Sequence, residues 1–251
     1  MRWPCVNKAG ADSLVCLSHY PTLEEELALA PQAAGALAFW QLRPGAILTV
    51  SAPDGSCFRA RFLGDNRVKP FQALPDFKDG EMQFTVFQAL PGKERFELIL
   101  EKLTEIGVHR IVPMVTQRSA TLADRDRPQK KSHRWPHILL AAAKQCRRPT
   151  IPELAPVTGW EEALQEAAGA DQAFMLFEGA TDLTLGQALT TKRPASVALL
   201  VGPEGGFAGE EVDQAGRAGI RQVSLGARIL RTETAALAGA ILVQHLLGRL
   251  G

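Results

Sequence analysis

Several features that would place this chain in a membrane or in an oxidising compartment are missing from its sequence. The four cysteines, at positions 5, 16, 57 and 146, form neither a Cys-x-x-Cys motif nor a paired spacing. No apolar run reaches the roughly eighteen residues that a membrane-spanning helix needs. Residues 1–8 contain no apolar stretch after the basic residue, so we expect no secretion signal. We therefore expect reduced cysteines, no membrane partner and a cytoplasmic location.

Two familiar phosphate-binding signatures are missing as well. The chain contains no Gly-x-x-x-x-Gly-Lys-Ser/Thr loop, and no Gly-x-Gly-x-x-Gly follows a predicted strand. These absences disfavour nucleoside triphosphates and dinucleotides as ligands.

Two glycine-marked loops, residues 202–206 and 225–235, are the most informative positive feature of the sequence. Each loop follows an apolar, strand-like run and precedes a helical pattern, so both are expected at the carboxyl edge of one sheet. Open α/β folds bind their ligands at that edge. Glycines allow the backbone to approach a ligand closely, so we predict a small ligand with a polar tail and a flat ring.

The two loops carry the resemblance to a known family. The first reads Leu200-Val-Gly-Pro-Glu-Gly-Gly206, and the second runs from Leu225-Gly to Arg228-Ile-Leu-Arg-Thr-Glu-Thr-Ala235. In this order and spacing they resemble the SPOUT-type RNA methyltransferases, and among them the ribosomal RNA small subunit methyltransferase E family. Shorter matches lie at 102–108, 117–119 and 142–148, so the resemblance covers about residues 83–247.

The resemblance implies an α/β fold of the SPOUT α/β-knot type, with a trefoil knot and a mainly parallel sheet flanked by helices. A small PUA-like β-barrel that docks RNA would precede it. We place the barrel at residues 1–78 and the methyltransferase domain at residues 79–251. The family further implies a homodimer whose interface helps to form the active site.

The implied reaction transfers the methyl group of S-adenosylmethionine to N3 of a uridine in small-subunit ribosomal RNA, within the assembled small subunit. No metal is needed, because the leaving group departs as a neutral thioether. The residues matched to cofactor binding are Leu200, Gly202, Pro203, Glu204, Gly205, Gly206, Leu225, Gly226, Ile229, Leu230, Thr234 and Ala235.

Two catalytic residues are proposed from the second loop. A cation beside the uracil ring would stabilise its anion, and Arg231 is the first candidate. Glu233 is the preferred general base, with Glu105 as the other match to the family pattern. A glutamate in the first turn of a helix is also favoured by the helix dipole alone, which leaves a structural role open for Glu233.

The charge of +1 for the whole chain conceals a strong asymmetry. Residues 118–148 contain nine Lys or Arg and two Asp, whereas residues 149–251 contain seven basic and twelve acidic residues. Such a basic stretch suits RNA phosphates, although a solvated loop is an alternative. The proposed RNA contacts are Arg118, Arg125, Arg127, Lys130, Lys131, Arg134, Gln145 and Arg148, and ion pairing is an equally good explanation for Arg148.

Local patterns predict the elements of the first domain. Thr22-Leu-Glu-Glu25 is a capping-box pattern that predicts a short helix. Asp54-Gly55 predicts a hairpin between strands at 46–52 and 56–63. The stretch that follows, which includes Pro70, lacks periodicity and is interpreted as a linker.

The second domain alternates strand and helix patterns. Its last helix is apolar almost all the way round, so we expect it to be buried on most sides. Predicted strands lie at 83–88, 110–115, 174–177, 197–201 and 222–225, and predicted helices at 92–106, 136–146, 161–168 and 233–247.

Some positions depart from the family pattern. Lys144 and Arg147 stand where the family usually has Glu and Gly, and Ala208 replaces a Ser or Thr that would cap the next helix. Three alternatives therefore stay open: a methyltransferase acting on another RNA or on ribose 2′-O, a noncatalytic RNA-binding assembly factor, and a dehydrogenase-like nucleotide enzyme that would bind NAD more tightly than S-adenosylmethionine.

Overall fold

A computed structural model describes residues 9–29, 33–75, 82–121, 123, 132–179, 183–189 and 194–250 of the chain. Four of the predicted RNA contacts lie outside the described residues: Arg125, Arg127, Lys130 and Lys131. Among the described residues, no helix is long and apolar enough to cross a membrane.

The amino-terminal part forms a four-stranded antiparallel sheet in the order β1-β4-β3-β2. Its strands are β1 (Leu27–Ala28), β2 (Ile47–Ser51), β3 (Cys57–Gly64) and β4 (Arg67–Leu74). The predicted hairpin between β2 and β3 is confirmed. Asp54 Oδ1 accepts a hydrogen bond from Ser56 N at 3.0 Å, and Gly55 adopts φ 86°, which glycine tolerates without strain.

Two predictions for this part were wrong. The segment with the capping-box pattern forms a turn, in which Glu24 has φ 68°, and it leads into β1 instead of a helix. The first helix, α1 (Ala33–Trp40), comes later and buries Trp40, whose Nε1 donates to Ser13 O at 2.6 Å. Part of the predicted linker is β4, in which Pro70 lies beside a register shift that disguises the strand pattern.

The carboxyl-terminal part is built on a parallel sheet in the order β11-β9-β10-β5-β6-β7, with β8 paired to β6. These strands are β5 (Gln83–Ala89), β6 (Arg110–Val115), β7 (Glu153–Leu154), β8 (Thr158–Gly159), β9 (Gln172–Leu176), β10 (Ser196–Val201) and β11 (Arg221–Val223). The five predicted strands of this part are confirmed within a few residues. The two-residue strands β7 and β8 were too short for their pattern to be recognised.

Helices cover both faces of the parallel sheet. They are α2 (Lys93–Ile106), α3 (Trp135–Gln145), α4 (Trp160–Ala168), α5 (Leu185–Ala188), α6 (Gly209–Arg217) and α7 (Thr232–Leu246). Alternate residues of β10 divide between the two sides: Val197 and Leu199 join the apolar cluster that includes α2 and α7, whereas Ala198 and Leu200 join the cluster that includes α4 and α6. This α/β architecture agrees with the predicted fold class.

The last helix has one exposed apolar face, although its composition predicted burial on most sides. Ala236, Ala240 and Val243 pack inside the chain, whereas Ile241 and Leu246 are 42% and 44% exposed. The residues of this helix that face the sheet are small, because the helix and the sheet pack closely together. A Cβ added at Gly239 would lie 2.9 Å from Leu176 Cδ1.

Hydrogen bonds join the antiparallel sheet to the parallel-sheet part. Thr49 Oγ1 of β2 donates to Arg147 O at 2.6 Å, just after α3. Ser13 Oγ accepts from Ile151 N at 2.7 Å, and Gly10 forms a bridge with the same residue. The two parts are therefore fastened to each other near the end of α3.

Arg148 is a buried structural residue, and this corrects its assignment as an RNA contact. Its guanidinium Nη1 donates to Thr104 O at 3.1 Å and to Val108 O at 2.8 Å. The side chain is only 3% exposed and closes the turn where α2 ends at Gly107, which has φ 92°. A guanidinium used in this way is not available to a phosphate.

Replacing Arg148 by Met should lower the free energy of unfolding by about 2–4 kcal/mol, because charge-assisted hydrogen bonds to buried carbonyls are lost. Urea denaturation followed by circular dichroism measures this loss. Arg134→Met, at an exposed position, is the matched control and should change stability by less than about 0.5 kcal/mol. Equal stability of the two variants would contradict the structural role.

Candidate functional site

A cavity of about 230 Å³ lies at the carboxyl edge of the parallel sheet, where β9, β10 and β11 end. It is lined by residues after each of the three strands, by Arg95 of α2 and by the start of α7. Ten of the predicted site residues line the cavity. Arg231 was predicted to act in catalysis, and the other nine were predicted to bind the cofactor: Gly202, Pro203, Glu204, Gly206, Leu225, Gly226, Ile229, Leu230 and Ala235.

Three other predicted cofactor residues are placed elsewhere. Leu200 is fully buried in the core beneath α4 and α6, because its strand has helices on both faces. Gly205 turns away from the cavity towards the side chain of Arg118. Thr234 lies exposed in the first turn of α7.

The first loop, residues 202–206, folds back on itself through two glycines. Gly206 has φ 67°, and its N–H donates to Pro203 O at 3.0 Å to close the turn. A Cβ at Gly206 would overlap Glu178 Oε1, and a Cβ at Gly202 would lie 3.3 Å from Gly206 Cα. Because Gly202 and Gly206 have no side chains, the floor of the cavity stays open and the backbone of the first loop lies beside the Glu178 carboxylate.

Glu204 faces the start of α2. Its Oε1 accepts from Gly92 N at 2.8 Å and from Arg95 Nη1 at 2.9 Å. A carboxylate is favoured at the amino-terminal end of a helix, where backbone N–H groups lack partners. Although Glu204 lines the cavity, its charge serves mainly to fasten the first loop to α2.

The second loop, residues 225–235, forms the other side of the cavity and continues into the first turn of α7. Ser224 Oγ accepts from Gly226 N at 3.0 Å, and Gly226 adopts φ 112°. Leu225 and Leu230 are partly buried and supply apolar walls, whereas Ile229 is 83% exposed at the rim. Apolar walls beside open backbone suit a flat ring with polar edges.

A buried chain of hydrogen bonds joins the two loops to the centre of the sheet. Thr232 Oγ1, at the start of α7, donates to Gly202 O at 2.6 Å. Gln88 Nε2, at the end of β5, donates to Thr232 Oγ1 at 3.1 Å and to Ala89 O at 2.9 Å. The sequence interpretation missed Gln88 and Thr232. A polar residue inside the apolar strand β5 was the available signal for Gln88.

Arginines dominate the charge around the cavity. Arg95, Arg228 and Arg231 line it, together with the carboxylates Glu178 and Glu204. Arg95 was also missed, and it connects both loops, since its Nε lies 3.8 Å from Glu233 Oε2 while its Nη1 binds Glu204. Among the described residues, Arg231 forms no salt bridge.

The two candidate bases occupy different places. Glu233 lies behind the cavity, 15% exposed, and its Oε2 is buried with no hydrogen-bond partner in the described part of the chain. Glu105 is distant from Arg231: it pairs with Lys102 Nζ at 2.9 Å and lines a separate depression between α2 and α3. Of the two, Glu233 is the one that adjoins the cavity-lining residues Arg231 and Thr232.

The described RNA candidates other than Arg148 are exposed. Arg118 Nη1 donates to Gly205 O at 2.9 Å, so this side chain supports the first loop from outside. Arg134 lies at the start of α3, and Gln145 lies at its end. Neither is near enough to the cavity to line it.

Glu211 compensates for the missing cap at Ala208. Its Oε2 accepts from Ala208 N, and its Oε1 accepts from Gln117 N, both at 2.8 Å. This buried carboxylate fixes the start of α6, next to the first loop. No group of His, Cys, Asp and Glu residues in the described ranges could hold a metal ion.

The chain matches a family model described as RNA methyltransferase domain over residues 78–244. It is 29% identical over 194 residues to a ribosomal RNA small subunit methyltransferase E of Bacillus subtilis, covering 75% of this chain and 72% of that protein. A protein of the same name from Mesomycoplasma hyopneumoniae is 33% identical over 172 residues, covering 68% and 74%.

A solved structure is also similar to this chain. The crystal structure of a ribosomal RNA small subunit methyltransferase E from Neisseria gonorrhoeae bound to S-adenosyl methionine is 28% identical, with a TM-score of 0.65. The match covers 92% of this chain and 96% of the other.

Replacing Gly206 by Ala should lower the free energy of unfolding by about 1–3 kcal/mol, because a side chain is strained at this φ and overlaps Glu178. Thermal unfolding measures this loss. Gly209→Ala is the control three residues away, where an added Cβ meets nothing within 4 Å. If both variants melt like the unmodified protein, the loop is not held in this conformation.

Proposed function

The chain belongs to the ribosomal RNA small subunit methyltransferase E family, and we propose that it transfers the methyl group of S-adenosylmethionine to uridine N3 in small-subunit ribosomal RNA. One observation carries this proposal. The two glycine loops after β10 and β11 converge on a single cavity, whose floor is kept open by Gly202 and Gly206. We place this activity in the cytoplasm.

The cavity suits the methyl donor in three respects. Leu225 and Leu230 offer apolar walls and backbone groups for the adenine ring. Glu178 offers hydrogen-bond acceptors for hydroxyl or ammonium groups. The backbone around Gly206 leaves room that any side chain would fill. When bound, the donor supplies a methyl group on a sulfonium, whose departure leaves a neutral thioether.

The chain's contribution to the reaction is positioning and charge. Alignment of the attacking nitrogen with the methyl group supplies a large part of the rate increase. Uridine N3 becomes a nucleophile when it loses its proton, and a cation held nearby stabilises the resulting anion. We assign this role to Arg231, which lines the cavity and forms no salt bridge within the described ranges.

We assign proton removal to Glu233. Its buried Oε2 has no hydrogen-bond partner in the described part of the chain, so it keeps a free acceptor site. Arg95 Nε lies 3.8 Å from this oxygen and helps to hold the side chain in place. Glu233 is two residues after Arg231, in the first turn of α7.

The finer architecture follows the family. We propose that residues 1–78 form a PUA-like barrel around the antiparallel sheet, and that residues 79–251 contain a trefoil knot. The contact of Thr232 with Gly202 brings the start of the last helix beside an earlier loop, as such a knot would require. We also propose that the assembled small subunit is the substrate, with the exposed Arg118, Arg134 and Gln145 directed towards the RNA.

We further propose a homodimer built on α7. The exposed apolar residues Ile241, Leu242 and Leu246 lie on one face of this helix. Leu98 of α2, which packs against α7, is also exposed. Apolar faces of this kind are typical of subunit interfaces.

The function is tested by incubating unmodified small ribosomal subunits with the protein and methyl-labelled S-adenosylmethionine, followed by nucleoside mass spectrometry. We expect labelled N3-methyluridine. Arg231→Gln should retain donor binding by calorimetry but label at least about 100-fold more slowly, because it lacks the charge that stabilises the anion.

Arg217→Gln, at an exposed position on α6, is the matched control and should label at the normal rate. Labelled 2′-O-methyl nucleoside would move the target to the ribose. Donor binding without any label would favour a noncatalytic RNA-binding factor, and tighter binding of NAD would revive the dehydrogenase alternative.

The dimer is tested by changing Leu242 and Leu246 together to Glu, which should convert dimers to monomers because two charges would be buried in the interface. Sedimentation velocity measures the mass. The control pair, Glu210→Gln and Asp213→Asn on exposed positions of α6, should leave the mass unchanged. A monomeric unmodified protein would refute the proposal.

A further inference from the structure

Two arginines from different parts of the fold meet where the antiparallel sheet joins the end of α3. Arg59 of β3 donates from Nη1 to Thr49 Oγ1 at 3.1 Å. The same hydroxyl donates to Arg147 O at 2.6 Å. The Arg59 guanidinium is therefore held beside the backbone of Arg147 by one shared threonine.

The backbone at Arg147 is unfavourable for an arginine. Its φ of 66° lies in the left-handed region, which glycine adopts freely and residues with a side chain avoid. The residues before and after Arg147 impose this conformation. Cys146 N donates a hydrogen bond to Ala142 O, and the Arg148 side chain is anchored in the core. A glycine would fit this position better, so the side chain is retained against a conformational cost.

The electrostatic arrangement is unfavourable too. Burial, and secondly the positive charge of Arg147, lower the pKa of Arg59. In the described part of the chain, neither arginine forms a salt bridge, whereas Arg67 and Lys69 of the neighbouring strand β4 pair with Glu26 and Glu24. Among the described residues, therefore, no carboxylate pairs with the positive charge at this junction.

Further cations lie beside the pair. Arg61 is two residues along β3 from Arg59 and so lies on the same face of the sheet. Lys144 lies in the last turn of α3, three residues before Arg147, and partial burial lowers its pKa. An anion at this junction would relieve the unfavourable interaction between Arg59 and Arg147.

We propose that Arg59 and Arg147 form a phosphate-binding site that takes a backbone phosphate of the RNA substrate. This inference rests on the proposed function. Guanidinium groups match phosphate oxygens in geometry and charge. Arg59 is half-buried and Arg147 is exposed, so the pair can be reached from solvent. The site assigns a specific RNA contact to the junction between the two parts of the chain. Arg147 belongs to the basic stretch 118–148, whereas Arg59 lies far outside it in the sequence.

The decisive variant is Arg147→Gly, because it removes the charge and relaxes the backbone. We expect its melting temperature to be equal to or higher than that of the unmodified protein. Its Kd for deproteinised small-subunit ribosomal RNA should rise about tenfold. The slope of log Kd against log salt concentration should fall by about 1, as for the loss of one phosphate contact.

Arg59→Gln tests whether one phosphate is shared. Because both side chains would bind the same anion, the double variant should weaken RNA binding by much less than the product of the two single effects. Arg217→Ala, which removes an exposed positive charge from α6, is the matched control and should change Kd by less than about twofold.

Several outcomes would overturn the site. Arg147→Gly could bind RNA like the unmodified protein, or lose no more affinity than Arg217→Ala. Weaker binding to assembled subunits with unchanged binding to deproteinised RNA would assign the pair to a protein partner instead. If the unmodified protein methylates subunits, these results refute this site alone. If the unmodified protein neither binds the RNA nor methylates subunits, both the site and the proposed function are refuted.

Discussion

The hydroxyl group of Thr232 connects the parts of the chain on which the cavity depends. It donates to the Gly202 carbonyl and accepts from the side chain of Gln88. These residues belong to the last helix, the first loop and the central strand β5. Because both polar side chains are buried, water cannot replace the bonds unless the core opens, and an unpaired group there would be costly. The convergence of the two glycine loops therefore depends on this small side chain together with the Arg95 contacts at the surface.

Tertiary contacts divide similar arginines among different tasks. Arg148 is enclosed by carbonyls and closes the turn after α2. Arg95 is held by Glu204 near Glu233 and fastens the loops together. Arg231 has no such carboxylate in the described residues, so its charge remains available to a substrate. A formal charge count treats these residues alike, although only the unpaired one can stabilise a new anion at low cost.

The sequence predictions were correct where a long pattern or a specific turn motif supported them, and wrong where only a short pattern did. The long amphipathic helix that ends at Gly107 and the hairpin at Asp54-Gly55 were correct, because periodicity and turn chemistry agree there. The helix expected at Thr22 was wrong, since four residues cannot outweigh the pairing of β1 with β4. Pro70 concealed β4, because a register shift that accommodates proline leaves no mark in the alternation of residues.

The sequence by itself determined the α/β class, the family and the two loops that line the cavity, because the two glycine motifs match the family in order and spacing. Only the tertiary structure decided which of the matched residues face the cavity: it buried Leu200 between helices and turned Gly205 towards Arg118. It also revealed Gln88, Thr232, Arg95 and the meeting of Arg59 with Arg147. These contacts join residues far apart in the chain, and no local pattern encodes the distance between two side chains brought together only by folding.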